Sequence, residues 1–352
     1  MAFKDILKHH IETYPKHTIV DLYKLIYQSV YGGGHIIVDL NQHLHFLIQE
    51  LKLSKDKPLK EFEKLDEKVY RLYLDGLYNK LEAETIERMV IKSSNDIKGD
   101  VSFIQDKLEI LYDLKPEAET AKFISYVTNL KYPIYSHSEV YREAYEPHYR
   151  IVSKEFVFYL DIFEKIDHIL KEKKSPVIAI DGMTTSGKTY LAKLIQSIYP
   201  ADIVSVDDFF LQEDQKTEDR LNETGGNLDY ERFQSDVLDK LDNDSFSYKP
   251  YDCQSKAFHE PKKIKRNQMT IIEGSYSLRV PFRRYYDLTI YLSLDPEIQY
   301  ERLTIRNKHM IDQFIKLWVP KENLYREKEE TDLYADLLFD TTALFDLKKS
   351  QF

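Results

Sequence analysis

The sequence predicts an α/β domain built on a parallel sheet, preceded by a separate, mostly α-helical domain. Three observations predict this. The chain has 352 residues, more than one domain usually holds. Apolar residues recur at three- and four-residue spacing through the first 150 positions, as amphipathic helices require. Beyond residue 175, short apolar runs alternate with helical stretches, the pattern of a mostly parallel sheet. The expected domains are 1–150 and 151–352.

In the first half the helical spacing runs through Ile19–Val30, Leu44–Leu53, Phe62–Leu81 and Val101–Leu114. "KPEAETAKFISYVTNL" adds a further helix with its proline near the start. The tyrosine-rich segment 131–150 is expected to join the two halves. One more helix is expected from Val152 to Leu170, ending at the charged break "KEKKSP". Four runs then read as buried strands: "VIAID", "DIVSVD", "MTIIEG" and "LTIYLSL". Helices are expected between them, notably over 187–198 and 229–241.

Composition excludes several classes. A net charge of −10 gives no overall pull toward nucleic acid or an anionic membrane. A single cysteine, Cys253, rules out an intrachain disulfide framework and a cysteine-rich metal cluster. The N-terminal residues lack the apolar run of a signal peptide, and no stretch is apolar for long enough to span a membrane. A cytoplasmic protein with a small-molecule partner, and neither membrane nor nucleic acid, is expected.

The strongest motif is "GMTTSGKT". Gly182, Gly187, Lys188 and Thr189 satisfy G-x-x-x-x-G-K-[ST] between an expected strand and an expected helix. Glycines let the backbone turn so that successive amides face an anion, and the helix N-terminus adds partial positive charge. Lys188 can reach terminal phosphates, and the Thr189 hydroxyl can ligate magnesium. Thr185, Ser186 and Tyr190 complete the candidate nucleotide-binding set. The expected fold is therefore a P-loop sheet that binds a nucleoside triphosphate, with ATP and Mg2+ as cofactors.

Two further strand ends carry acids. "VSVDDFF" places Asp207 and Asp208 where a carboxylate faces the same crevice as the phosphate loop. Asp207 is the first choice for orienting a hydroxyl and accepting its proton, or for holding magnesium; Asp208 is the reserve. Glu273, at the end of "TIIEG", is placed to stand beside the magnesium. Thr189, Asp207 and Glu273 form the candidate metal set.

These segments, with "NLDYERF", "YKPYDCQSKAF" and "YDLTIYLSLDPEIQYERLTIRN", resemble the uridine kinase and phosphoribulokinase family of P-loop kinases over roughly residues 175–345. The resemblance implies transfer of the ATP γ-phosphoryl group to a hydroxyl of a nucleoside, sugar phosphate or pantothenate. It implies that Asp207 activates that hydroxyl, and it places the family's arginine-rich lid on "ERLTIRN", with Arg302 and Arg306 as candidates. Guanidinium groups suit phosphate oxygens. Lys308, Lys316 and Lys321 could supplement them. Met183 and Thr185 stand where the family often has smaller residues or proline, and Asn307 where it has aspartate. The family's acceptor segment falls on Tyr251 and Asp252, with Tyr230 and Arg232 as further pocket candidates. In nucleoside-phosphorylating members histidine and arginine follow this segment, whereas "CQSKAFHE" follows it here, so uridine is only the family default.

The segment "YGGGHIIVDLNQHLH" stands outside this resemblance. His35, His43 and His45 invite a metal reading, but His43 and His45 do not share a helical face, so packed or surface histidines are expected. The helical half is left three roles: covering the acceptor pocket, recognising a partner, or making a homo-oligomer. A nucleotide hydrolase and a nucleotide-dependent regulatory protein stand as alternatives to a kinase.

Overall fold

The computed structural model describes residues 2–33, 40–54 and 61–344. The chain divides into two compact units, Met1–Asp167 and His168–Phe352.

The first unit opens with α1 (Phe3–Thr13), α2 (Ile19–Tyr31) and α3 (Leu40–Leu53). Thr18 starts α2 by donating its amide and hydroxyl to Asp21, and Gly32 ends it with φ at +64°. Phe62–Leu81, expected as a helix, instead supplies β1 (Phe62–Lys64) and β2 (Val69–Tyr73). Val69, Tyr70 and Tyr73 suit a strand, and β2 pairs antiparallel with β1 on one edge and β3 (Tyr149–Ser153) on the other. Its apolar spacing fits either element, and pairing decides in favour of the strand.

Helices α4 (Ala83–Asp96), α5 (Val101–Leu114), α6 (Ala118–Asn129) and α7 (Glu139–Tyr145) follow β2. The helix expected over Val152–Leu170 begins two residues later, because Val152 belongs to β3. It is split at Tyr159 into α8 (Lys154–Phe158) and α9 (Leu160–Glu172). The tyrosine-rich segment 131–150 is no loose connection, since Tyr132, Tyr135 and Tyr149 pack against the core around Leu22, Ile26, Ile104 and Leu108. This unit also has a cavity of about 510 Å³ between Tyr27, Tyr31, Gln105 and Tyr132, apart from every residue expected in phosphate chemistry.

A buried polar chain crosses the same unit. The Arg71 guanidinium donates to Glu63 at 3.0 Å and Gln28 at 2.8 Å, and lies 4.5 Å over the Tyr149 ring. His137 bonds Asp21 at 2.9 Å through Nδ1 and the Tyr149 hydroxyl at 2.7 Å through Nε2. Burial, with Arg71 and Lys24 nearby, outweighs Asp21 and takes the His137 pKa down to about 4. Burial opposes ionisation of Asp21, yet hydrogen bonds from His137, Ser138 and the Thr18 amide hold it well below the usual carboxylate range. The pair is therefore a neutral imidazole on a carboxylate.

The second unit carries a five-stranded sheet: β4 (Val177–Gly182), β5 (Ala201–Ser205), β10 (Met269–Glu273), β11 (Leu288–Ser293) and β12 (Leu337–Asp340). Between β5 and β10 run α11 (Glu218–Asn222), α12 (Tyr230–Asp236) and the short strands β6 (Ser245–Tyr248), β7 (Tyr251–Asp252), β8 (Ala257–Phe258) and β9 (Lys262–Lys265). Helix α10 (Lys188–Ile198) connects β4 to β5. After β11 come α13 (Pro296–Arg306), α14 (Ile311–Gln313), α15 (Val319–Glu329) and α16 (Thr331–Tyr334).

The sheet order is β12-β11-β4-β10-β5 and every pairing is parallel. Strands β4 and β10 are buried along their whole length, so near-continuous apolar sequence is what they need. With the glycine loop between β4 and α10, this is the P-loop nucleoside-triphosphatase fold, as the sequence predicts. Because β10 lies between β4 and β5, the carboxyl end of β10 stands between the glycine loop and the acidic turn after β5. Among the described residues, no helix is long and apolar enough to cross a membrane.

Candidate active site

The loop between β4 and α10 is shaped by two glycines. Gly182 has φ at +145°, and a Cβ there would lie 2.2 Å from the Leu292 carbonyl oxygen, so only glycine lets the loop leave the sheet here. Gly187 opens α10 in the left-handed region, with φ at +98°. Thr185 also takes positive φ, +66°, which is strained for a β-branched residue.

Among the described residues, the amides of Thr185, Gly187, Lys188 and Thr189 make no hydrogen bond. The buried hydroxyls of Thr185 and Ser186 also have no partner. Unmet donors at a helix N-terminus suit a polyphosphate. Lys188 folds back over the loop and donates to the carbonyls of Gly182 at 2.8 Å and Met183 at 3.1 Å. Tyr190 lies exposed on the first turn of α10.

Two strand ends bring the acids together. Glu273, ending β10, accepts the Thr189 hydroxyl at 3.0 Å through one oxygen and the Ser205 hydroxyl at 3.0 Å through the other. Gly274 follows with φ at +141°; a Cβ there would lie 2.8 Å from the Val206 Cβ. That close approach sets the end of β10 against the 3-10 turn Val206–Phe209, which carries Asp207.

The turn sends its two aspartates to different fates. Asp208 accepts Tyr248 and Lys262, each at 2.8 Å, and its carbonyl accepts Arg232. It is an anchor. Asp207 accepts no hydrogen bond from any described residue, and solvent still reaches its side chain. Crowding by protein, with the charges of Glu273 and Glu322, pushes its pKa up to about 6 against the pull of Lys188 and Arg306. Asp207 thus lies within electrostatic reach of Glu273, Lys188, Glu322 and Arg306.

Magnesium is tested by this donor set. Among the described residues, no three His, Cys, Asp or Glu side chains converge on a metal position. Thr189 and Glu273 are nonetheless joined directly, with Asp207 beside Glu273. A hydroxyl and two carboxylates fit magnesium, which keeps several waters and shares phosphate oxygens instead of filling a protein cage.

The other candidates separate into two groups. Arg302 is buried, donating to the carbonyls of Thr185 at 3.2 Å and Thr341 at 2.8 Å, so it braces the loop from behind. Arg306, one turn further along α13, is exposed and acts on Asp207. Lys308 and Lys316 are exposed, and Lys321 donates to the Leu221 carbonyl at 2.8 Å.

On the acceptor side, Arg232 is held by the carbonyls of Lys249 and Asp208 and stacks 4.3 Å from the Phe209 ring. Tyr230 donates to Glu223 at 2.6 Å, between the guanidinium groups of Arg220 and Arg279. Tyr251 is buried against Phe258, and Asp252 accepts the Gln254 amide and Ser255 hydroxyl within its own turn. Each of these residues is held by its own local partners, unlike Asp207. His43 bonds Glu87 at 3.3 Å and His45 lies on the same helix, while His35 falls outside the described residues.

Sequence reasoning missed Ser205, Ser275 and Glu322. Glu322, on the first turn of α15, accepts the Thr184 amide at 2.9 Å, the Thr184 hydroxyl, and the Ser275 hydroxyl at 2.8 Å. No local motif marks it.

No protein-family model and no curated protein matches the chain. Among solved structures, a possible uridine kinase from Bacillus stearothermophilus is 23% identical, with a TM-score of 0.37, over 51% of this chain and 100% of that one. Shikimate kinase from Bacteroides thetaiotaomicron is 18% identical, with a TM-score of 0.26, over 47% of this chain and 86% of that one. Thymidylate kinase from Candida albicans is 13% identical, with a TM-score of 0.27, over 50% and 87%. Likenesses this distant carry no argument about substrate or mechanism. The loop and its carboxylates have to carry it.

Proposed function

We propose that the second unit is an ATP- and magnesium-dependent small-molecule kinase that transfers the γ-phosphoryl group to an alcohol. The observation that carries this is Asp207: an unbonded, solvent-reached carboxylate in the turn beside the end of β10, within electrostatic reach of Lys188 and Arg306, with its pKa raised to about 6. At neutral pH it is ionised, yet basic enough to take a proton from an attacking hydroxyl.

The loop amides and Lys188 bind the phosphates in register with Asp207, so that acceptor oxygen and phosphorus meet in line. Lys188 and Arg306 offset charge on the phosphoryl group in transit. Thr189, Glu273 and Asp207 would hold magnesium, which neutralises phosphate charge when bound. Glu273 in turn orients the Thr189 hydroxyl through their hydrogen bond. A nucleoside or related sugar-containing acceptor is the default that the family resemblance supplies; a cytoplasmic location is the proposal from the single cysteine and the lack of a signal-peptide-like run. For the first unit, the proposal is a covering, partner-recognition or self-association role.

Phosphoryl transfer from γ-labelled ATP and magnesium across nucleosides, sugars, sugar phosphates and vitamins tests the reading. One acceptor labelled by wild type and not by Asp207→Ala is expected. Release of inorganic phosphate at the same rate with and without every acceptor would instead mean a hydrolase. Nucleotide binding with neither product would mean a regulatory protein.

A further inference from the structure

Building on the reading that the loop binds a nucleoside triphosphate, the geometry points to Glu322 as a positioning residue that holds the terminal-phosphate position with its own carboxylate until a triphosphate displaces it. Its two oxygens take three donors from two strand ends: the Thr184 amide and hydroxyl from the loop after β4, and the Ser275 hydroxyl from beyond β10. An amide and two hydroxyls converging beside a phosphate loop are what an anion requires. In this structure the anion is the protein's own.

The position of Glu322 along the loop identifies which phosphate it replaces. The phosphoryl group in transit lies between the loop and Asp207, because Asp207 meets the acceptor. Glu322 is at that end: it takes the Thr184 amide and the hydroxyl of Ser275, which follows Gly274, and Gly274 packs against Val206, the neighbour of Asp207. The phosphates nearer the nucleoside have the amides of Gly187, Lys188 and Thr189, which Glu322 does not touch. A diphosphate therefore leaves Glu322 in place. A triphosphate brings a second anion to the same donors, and two like charges do not share them without a large penalty.

The side chain is also mounted for exchange. Lys321, its neighbour, ties the first turn of α15 to the Leu221 carbonyl at 2.8 Å. Glu322 can then leave its donors by side-chain rotation while the helix stays in place. The result is a built-in selection between nucleotides, in which the diphosphate binds without competition and the triphosphate must displace a carboxylate.

Calorimetric titration of the full chain with MgADP, and with a magnesium complex of a non-hydrolysable ATP analogue, tests this in wild type and Glu322→Gln. The expected result is an analogue affinity about tenfold higher in the variant, with ADP affinity changed less than about twofold. Ser275→Ala removes one of Glu322's donors while leaving its charge, and should shift the same ratio in the same direction by less. It also provides the test if Glu322→Gln fails to fold. An equal change for both nucleotides, in either direction, means that Glu322 only braces the loop and overturns the inference. Failure of wild type to bind either nucleotide overturns the reading of the loop, and the inference with it.

Discussion

The polar chain of the first unit and the phosphate-loop region of the second treat polar groups in opposite ways. In the first, Asp21, His137, Tyr149, Gln28, Arg71 and Glu63 form a chain in which each member has a partner. In the second, Asp207 and four loop amides have none among the described residues. Both regions shift pKa values strongly, so perturbation alone does not mark a site. Unmet valence does. A satisfied network spends its interactions on holding the fold, whereas an unsatisfied one in a cleft is arranged for something that arrives.

The largest effect should come from breaking the satisfied network. Arg71→Met strands Glu63 and Gln28 in the interior and should cost about 3–5 kcal/mol in the first unit. Urea unfolding followed by far-UV circular dichroism reads that loss. Fluorescence of the single tryptophan, Trp318 in the second unit, should report an unchanged transition there. If both transitions shift equally, the units do not unfold separately.

Removing the phosphate-facing lysine should leave stability alone and remove chemistry. Lys188→Ala is expected to lower phosphoryl transfer by about 10²–10³-fold with the same urea midpoint. Gly274→Ala tests the backbone approach that brings Glu273 to Asp207. Positive φ and a 2.8 Å contact should cost about 1–3 kcal/mol at the Trp318-reported transition, together with activity.

The smallest effect is a difference in sign. His137 binds its proton near pH 4 when folded, against 6.5 as its ordinary value. Between these values the unfolded chain holds more protons, so the first unit loses stability as pH falls from about 6.5 to 4. Asp181, buried in β4, accepts the Gly182 and Leu278 amides and the Tyr325 hydroxyl. Asp181 and Asp207 have folded pKa values of about 6, raised mainly by burial against 3.8, so there the folded state holds more protons. On these groups the second unit gains stability as pH falls from about 6 toward 3.8. Hydrogen exchange on the intact chain at pH 6 and pH 4.5 should show the units moving apart.

The site was legible where its geometry is local. Gly182, Gly187, Lys188 and Thr189 stand within eight consecutive residues, and the strand and helix around them announce themselves by apolar pattern. Features decided by distant pairing were hidden. Strands β1 and β2 share their apolar spacing with a helix, and β3, nearly eighty residues away, settles the matter. Arg302 and Arg306 look equivalent one helical turn apart, yet only one meets the carbonyls of Thr185 and Thr341. Asp207 and Asp208 are adjacent, and Tyr248 and Lys262 from other strands separate their roles. Glu322 reaches the loop from 138 residues further along the chain, a contact that only folding reveals.

The most direct test of the central claim is to measure MgATP affinity and acceptor phosphorylation together in wild type and Asp207→Asn. The account predicts that MgATP still binds, weakened only by the loss of one carboxylate from the magnesium set, with phosphorylation lower by about 10²–10⁴-fold and a wild-type rate that falls as pH drops below about 6. Undiminished phosphorylation in Asp207→Asn would contradict it.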